Sequence, residues 1–196
     1  MFRIFGAVFA AVAFAGYAAA APVNYQFDKG HADIVFSVNH LGYSYVTGRF
    51  REFDGELVLD RDDPKMSRVS ATIYTYSVDT GLEARDKHLR TSDFFNVVKH
   101  PTMTFVSTSV KPNFRDKMQA DVTGDLTLLG VTRPVVMKVT ANKLDPHPRT
   151  GKMTAGFTAV GLIKRSDFGM TFGVPGLGDE IKITINIEAA EAAKGP

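Results

Sequence analysis

Apolar and polar residues alternate with a period of two along most of this chain, and a single short stretch breaks the rhythm. Ile34, Phe36 and Val38 alternate with Val35, Ser37 and Asn39, and the pattern continues through Phe50, Leu57 and Leu59 and then Val69, Ala71 and Ile73. It returns in Met103-Phe105-Ser107, Met118 to Leu128, Val135-Met137-Val139, Met153 to Gly161 and Ile181-Ile183-Ile185-Ile187. Successive residues of a strand face opposite sides of a sheet, so this spacing predicts about eight strands. The joints at Asp62-Asp63-Pro64, Asn113 to Lys117 and Asp145 to Gly151 are rich in turn formers. Strands joined this tightly meander antiparallel, and a sheet of that size hides its edges most simply by closing into a barrel.

The interruption runs from Leu82 to Phe95 and reads as helical. Thr80 and Glu83 have the spacing of a capping box, Asp79 and Gly81 supply the turn before it, and Ser92 is placed to cap a second turn running into Phe94 and Phe95. Leu82, Leu89, Phe94 and Phe95 are apolar enough to dock this segment across one end of the barrel.

An eight-stranded barrel is wide enough to be filled by its own side chains or to hold one small ligand. The apolar register mixes Ala71, Ala120, Gly124, Ala155, Ala159 and Gly161 with Phe36, Phe50, Phe105 and Phe157. Two readings follow. Either the small residues leave an apolar tunnel for an apolar guest, or bulky residues from opposite strands meet over them.

The first twenty residues carry one charge, Arg3, then an apolar run from Ile4 to Gly16 and Ala18-Ala19-Ala20 before Ala21. That is the pattern of a secretory signal, too short for a spanning helix, and it predicts a periplasmic or secreted protein with no transmembrane segment after cleavage. The expected organisation is a signal over 1–20, a barrel over 21–190 and a flexible tail over 191–196, the run from Ala189 onward being small and charged. The chain has no cysteine, so it must be stable without disulfides, which the length of the remaining chain allows. Loss of Arg3 takes Lys plus Arg from 23 to 22 against 21 Asp plus Glu. A balance so near neutral gives no reason to expect a nucleic-acid partner.

His31, His40, His88, His100 and His147 are the histidines, and none has the spacing of a metal site. Arg85, Asp86 and His88 on the helix admit two readings: charged residues that anchor an amphipathic helix, or, for Arg85 and His88, partners for an anionic ligand head. Arg165-Ser166-Asp167 and Asp179-Glu180 bracket a Gly-rich loop from Phe168 to Gly178. No Lys-Ser/Thr follows it, so a phosphate-binding P-loop is excluded, and Arg165 and Asp167 read as salt-bridge residues that fix the loop, with Asp86 or Arg85 as candidate partners. Neither a Gly-x-Ser-x-Gly elbow nor a nucleophile paired with a base occurs, so the chain is not expected to be an enzyme.

Four segments together resemble the YceI-like family of exported, lipocalin-like barrels: GHADIVFSVNHLGYSYVTGRFREFDGEL from Gly30, SVDTGLEARDKHLRTSDFF from Ser77, GDLTLLGVTRPV from Gly124 and IKRSDFGMTFGVPGLGDEIKI from Ile163. The resemblance covers essentially the whole chain after the signal. It implies an all-β fold, an extended eight-stranded antiparallel barrel with one short helical insertion after the fourth strand. It also implies a lumen that holds a polyisoprenoid or similar amphiphile, the family including members associated with isoprenoid quinones or fatty amides. Leu129 stands where the family's turn usually carries His. The function expected on this basis is binding, transport or sequestration of a long-chain lipid, an isoprenoid quinone or a polyprenyl chain, with no other cofactor and no metal. Its tail would lie along Phe36, Val38, Phe50, Leu57, Ile73, Phe105, Leu126, Met137, Ala155, Phe157, Ala159 and Ile183. Its head would meet Arg85 and His88. The alternatives are an enzyme acting on a lipid-like guest, through His88 or His40 with Asp86, and a structural envelope protein without ligand. Tyr43 and Tyr45 could serve a homodimer or simply cover a turn.

Overall fold

The computed structural model describes residues 22–193. Its strands are β1 (Val23–Phe27), β2 (Asp33–His40), β3 (Ser44–Phe50), β4 (Phe53–Leu59), β5 (Arg68–Tyr74), β6 (Val78–Asp79), β7 (Thr102–Pro112), β8 (Gln119–Leu128), β9 (Val131–Pro146), β10 (Met153–Lys164) and β11 (Leu177–Glu191). Among the described residues one α-helix, α1 (Glu83–Leu89), falls between β6 and β7. All pairings are antiparallel, and β1 joins β4 on one side and β11 on the other, so the sheet closes.

The closed barrel has eight staves, three of them broken. β1 and β2 lie end to end along β11, Tyr25–Phe27 facing 189–191 and Asp33–Val38 facing 181–186. β3 and β4 form the next stave, paired to β2 and β1, and β5 and β6 the third, paired to β4 and β3. The breaks are stitched by polar groups. Asp28 accepts from the Gly30 amide and contacts His31 Nδ1, each at 2.9 Å. At the corner of the next two staves the Arg51 amide donates to Ser77 O, Tyr74 N to Glu52 O, and Glu52 N to Ser77 Oγ.

The all-β barrel is as expected, and several details differ. β1 escaped notice because its Val23, Tyr25, Phe27 alternation abuts the signal-like run. The stretch from Phe50 to Leu59 is two strands, since Phe50 and Phe53 are both buried at an odd spacing that only a corner allows. With β1 and these breaks counted, the helix follows β6 and not the fourth strand. It is shorter than expected, and turns rather than helix carry the chain from Arg90 to Phe95. The Thr80–Glu83 capping box does not form: Leu82 is the N-cap residue, without a side-chain bond, and Thr80 Oγ1 donates to Asp86. Leu82 is exposed, not docked. The turn toward Phe94 is held by Thr91, whose carbonyl takes the Phe94 amide, and not by Ser92. At the other terminus the run from Ala189 is not frayed, because Ala189 to Glu191 complete β11 against β1. The proposed signal, residues 1–20, and the last three tail residues lie outside the described residues.

Two bulges keep the inward row apolar. Between Ser107 and Ser109 on β7 the register shifts, so Val110 and Pro112 pair with Val122 and Ala120 on the lumen side. A second shift, opposite Gly156 and Phe157, carries the β9 row from Ala141 to Leu144. β8 and β9 are joined by a two-residue turn in which Leu129 has φ 53 and Gly130 φ 77. This is the backbone of a primed hairpin, and the Leu129 position is a turn position first, whatever side chain it carries.

The interior has two cores. At the helix end Phe50, Phe53, Ile73, Val78, Phe94, Phe95, Leu126, Leu128, Phe168 and Met170 pack together. At the far end Tyr25, Ala155 and Ala189 form a smaller cluster.

Candidate functional site

Between these cores runs a cavity of about 720 Å³ whose walls are almost wholly aliphatic and aromatic. That volume falls in the range of small-molecule sites. A lumen of this size, open at one end, is far larger than the voids that a close-packed interior leaves.

Eleven of the twelve tail residues named from the sequence line the cavity: Phe36, Val38, Phe50, Leu57, Ile73, Phe105, Leu126, Met137, Phe157, Ala159 and Ile183. Ala155 does not. It is fully buried against Tyr25 and Ala189 and belongs to the plug at the far end. The small residues therefore divide. Ala71, Ala120 and Ala159 face the cavity, whereas a Cβ on Gly124 would fall inside the Phe105 ring and one on Gly161 would strike the Met137 sulfur. Gly48 and Gly55 likewise make room for Phe36 and Phe27. Some small residues thus border the cavity, and others receive a bulky neighbour.

The helix end is closed by α1, the turns after it and the Gly-rich loop. Phe95 meets Phe50 edge to face at 5.4 Å, and Phe94, His88 and Phe172 form a triangle of edge-on rings 5.0–5.3 Å apart. Arg85 and His88 both line this end of the cavity. Arg85, however, gives Nε to Thr80 Oγ1 at 2.7 Å and Nη2 to Thr80 O at 2.8 Å, and His88 Nε2 lies 2.8 Å from Asp93. Asp86, 4 % exposed, accepts from the Thr80 amide and hydroxyl. It faces Thr80 and not His88, so an Asp86–His88 acid/base pair does not form. Arg90 holds the next turn through Tyr76 O and Val78 O.

Arg165 fixes the Gly-rich loop by a different device from the expected salt bridge. Only 3 % exposed, it donates to the carbonyls of Gly178, Met170 and Leu177 at 2.9–3.0 Å. Burial lowers its pKa, an effect that Asp179 opposes. Asp179 accepts instead from the amide and hydroxyl of Ser166, which hold its carboxyl below the usual range. Asp167 forms no ion pair among the described residues, and its carbonyl takes Arg133 Nε.

The far end opens between the loop joining β4 to β5 and the loop joining β7 to β8. Asp60, Arg61, Pro64, Ser67, Arg68, Lys117, Met118 and Gln119 contribute to the cavity wall there. Sequence reasoning passed over these cations because their loops are distant in the chain and show no motif.

Among the described residues one group, Asp28, His31 and Glu188, brings ligating atoms within 4.8 Å of one another. It lies outside the barrel at the β1–β2 break. Asp28 raises the His31 pKa by hydrogen bonding, and His31 lowers that of Asp28 in turn. Tyr43 and Tyr45 stand 90 % and 72 % exposed. No helix among the described residues is long and apolar enough to cross a membrane.

A profile of the YceI-like domain matches residues 25–189. Protein YceI of Escherichia coli O157:H7 is 42 % identical over 191 residues, spanning 96 % of this chain and 97 % of that protein. The solved YCEI protein of Campylobacter jejuni superposes with a TM-score of 0.72 at 32 % identity, covering 79 % of this chain and 90 % of that one. A polyisoprenoid binding domain from Saccharophagus degradans superposes with a TM-score of 0.65 at 15 % identity, covering 87 % and 99 %.

Proposed function

The chain belongs to the YceI-like family, and on that premise and the shape of its lumen we propose that it binds the long hydrocarbon tail of an isoprenoid or similar amphiphile, as a carrier or sequestering protein. The observation that carries the reading is the apolar cavity of about 720 Å³ inside the closed barrel. Support of a second kind is that a structural neighbour is described as a polyisoprenoid binding domain. The mechanism is physical. Each buried CH₂ contributes about 0.8 kcal/mol, so ten contribute on the order of 8 kcal/mol before immobilisation costs, which makes micromolar affinity the ceiling for ten and calls for a longer chain to exceed it. The tail lies along the eleven lining residues named above. The signal-like pattern of residues 1–20 supports a periplasmic or secreted location.

Titration of the purified protein with a C20 prenyl alcohol tests the reading. Saturable binding of one alcohol per barrel is expected, together with a loss of at least tenfold in affinity on Ala159→Phe, which thrusts a ring into the cavity. Absence of binding, or binding indifferent to Ala159→Phe, contradicts it. Chemical turnover of the guest that disappears in His88→Ala would point to the enzyme reading instead.

A further inference from the structure

We propose that the far mouth of the barrel is an anion seat, in which Arg61, Arg68 and Lys117 receive the phosphate or carboxylate head of the amphiphile. This rests on the reading of the lumen as a tail site, and it gives the guest a direction: tail toward α1, head between the β4–β5 and β7–β8 loops.

The argument is an inventory of cations around one cavity. At the helix end the arginines are occupied by the protein itself, Arg85 by Thr80 and Arg165 by three carbonyls, and His88 has Asp93. At the far end Arg61, Arg68 and Lys117 line the same cavity, are exposed, and take part in none of the ion pairs or side-chain hydrogen bonds of the described residues.

The carboxylates nearby in the chain are tied to the turns. Asp60, the one acid on the cavity wall, is buried and accepts from the amides of Asp62 and Asp63. Asp63 accepts from Lys65 N and Asp116 from Met118 N. On the cavity wall itself three cations stand with one acid, Asp62, Asp63 and Asp116 belonging to the same loops but not to the lining. Two guanidiniums and an ammonium with free donors suit a phosphate or carboxylate, which Arg can grip with paired hydrogen bonds.

The apolar surroundings complete an amphiphile site. Val110, Pro112 and Met118 line the same cavity as these cations, so apolar wall is available to a chain whose head sits on the charged rim. The competing role for such residues is to lay their stems over an apolar rim with their charges merely in water. That role gives no preference for an anionic head.

The test uses a matched pair of probes, a C20 prenyl alcohol and its monophosphate, with inorganic phosphate alone as a third. The wild-type protein is expected to bind the monophosphate at least tenfold more tightly than the alcohol, the preference shrinking as salt is raised. In the Arg61→Ala/Arg68→Ala/Lys117→Ala variant the ratio should collapse to within about twofold, whereas Arg85→Ala should preserve it. Lysine at positions 61 and 68 should restore part of the preference. Equal affinities for alcohol and phosphate in the wild type, or a ratio lost in Arg85→Ala and kept in the triple variant, overturn the seat while leaving the tail site standing. Inorganic phosphate binding as tightly as the prenyl phosphate also overturns it, because the tail would then play no part. Failure of both prenyl probes removes the tail reading itself.

Discussion

Arg165, at the helix end, and Arg68, at the far end, line one cavity and have opposite employment. Arg165 is almost fully buried and its donors are committed to three loop carbonyls. Arg68 is exposed and bonded to no side chain or carboxylate of the described residues. The same contrast extends to their surroundings. The helix end is sealed by interlocking rings and the Thr80–Asp86–Arg85 network. The far end is plugged on one side by Tyr25 over Ala155 and open on the other, between two loops. Charge at one end therefore builds the wall, and charge at the other is available to whatever enters. A cation's presence beside a pocket says little about ligands until its existing partners have been counted.

The largest effect that would break this contrast is at Arg165. Arg165→Met removes the guanidinium donor from one buried and two part-buried carbonyls and should destabilise the protein by about 3 kcal/mol, read from the denaturant midpoint. The far-end triple variant should stay within about 1 kcal/mol of wild type, as surface changes do. Comparable losses at the two ends would erase the distinction.

Next come the two alanines. Ala155→Phe drives a ring into Tyr25 and Ala189 and should cost about 1–3 kcal/mol in stability. Ala159→Phe has the cavity to enter and should spare stability while reducing guest binding. Denaturation and binding curves on both variants check this, and a reversed pattern would move the plug to the other residue.

Smaller still is the pair of inward glycines. Gly124→Ala meets the rigid Phe105 ring and the Val106 carbonyl, and Gly161→Ala chiefly the flexible end of Met137. The first should be the more destabilising by about 1 kcal/mol, measured by thermal unfolding.

The smallest effect lies outside the barrel, at the β1–β2 break. Asp28 has a folded pKa below 3.8 and His31 one above 6.5. The His31 contribution is complete below its unfolded value and is lost as pH rises through the raised folded value; that of Asp28 is present above its unfolded value and is lost as pH falls through the lowered one. The difference in unfolding temperature between wild type and His31→Ala should therefore be greatest near about pH 5 and shrink toward about pH 8. A difference that grows with pH would contradict the pairing.

Much of this was legible in the residues. Period-two alternation put eleven of the twelve residues named for the tail on the cavity wall, because register is enforced wherever one face is apolar. What the alternation could not convey was the partner across the barrel. Ala155 and Ala159 are equivalent in sequence, and only the position of Tyr25, contributed by a strand overlooked beside the signal-like run, distinguishes a plug residue from a wall residue. The Thr80–Glu83 spacing suggested a capping box, yet the buried Asp86 competes for the same hydroxyl and wins. Arg165 and Asp167 suggested ion pairs to Asp86 or Arg85, while the loop's carbonyls, invisible in a side-chain pattern, claimed the Arg165 guanidinium. The cations of the far mouth come from loops more than forty residues apart, Arg61 and Lys117, and convergence of that kind is a property of closure.

Native mass spectrometry of the purified protein, before and after exposure to a C20 prenyl alcohol, tests the central claim most directly. The account predicts a mass increment of one amphiphile per barrel, from the cell or after exposure, that is lost in Ala159→Phe. A protein that remains at its bare mass under both conditions would contradict it.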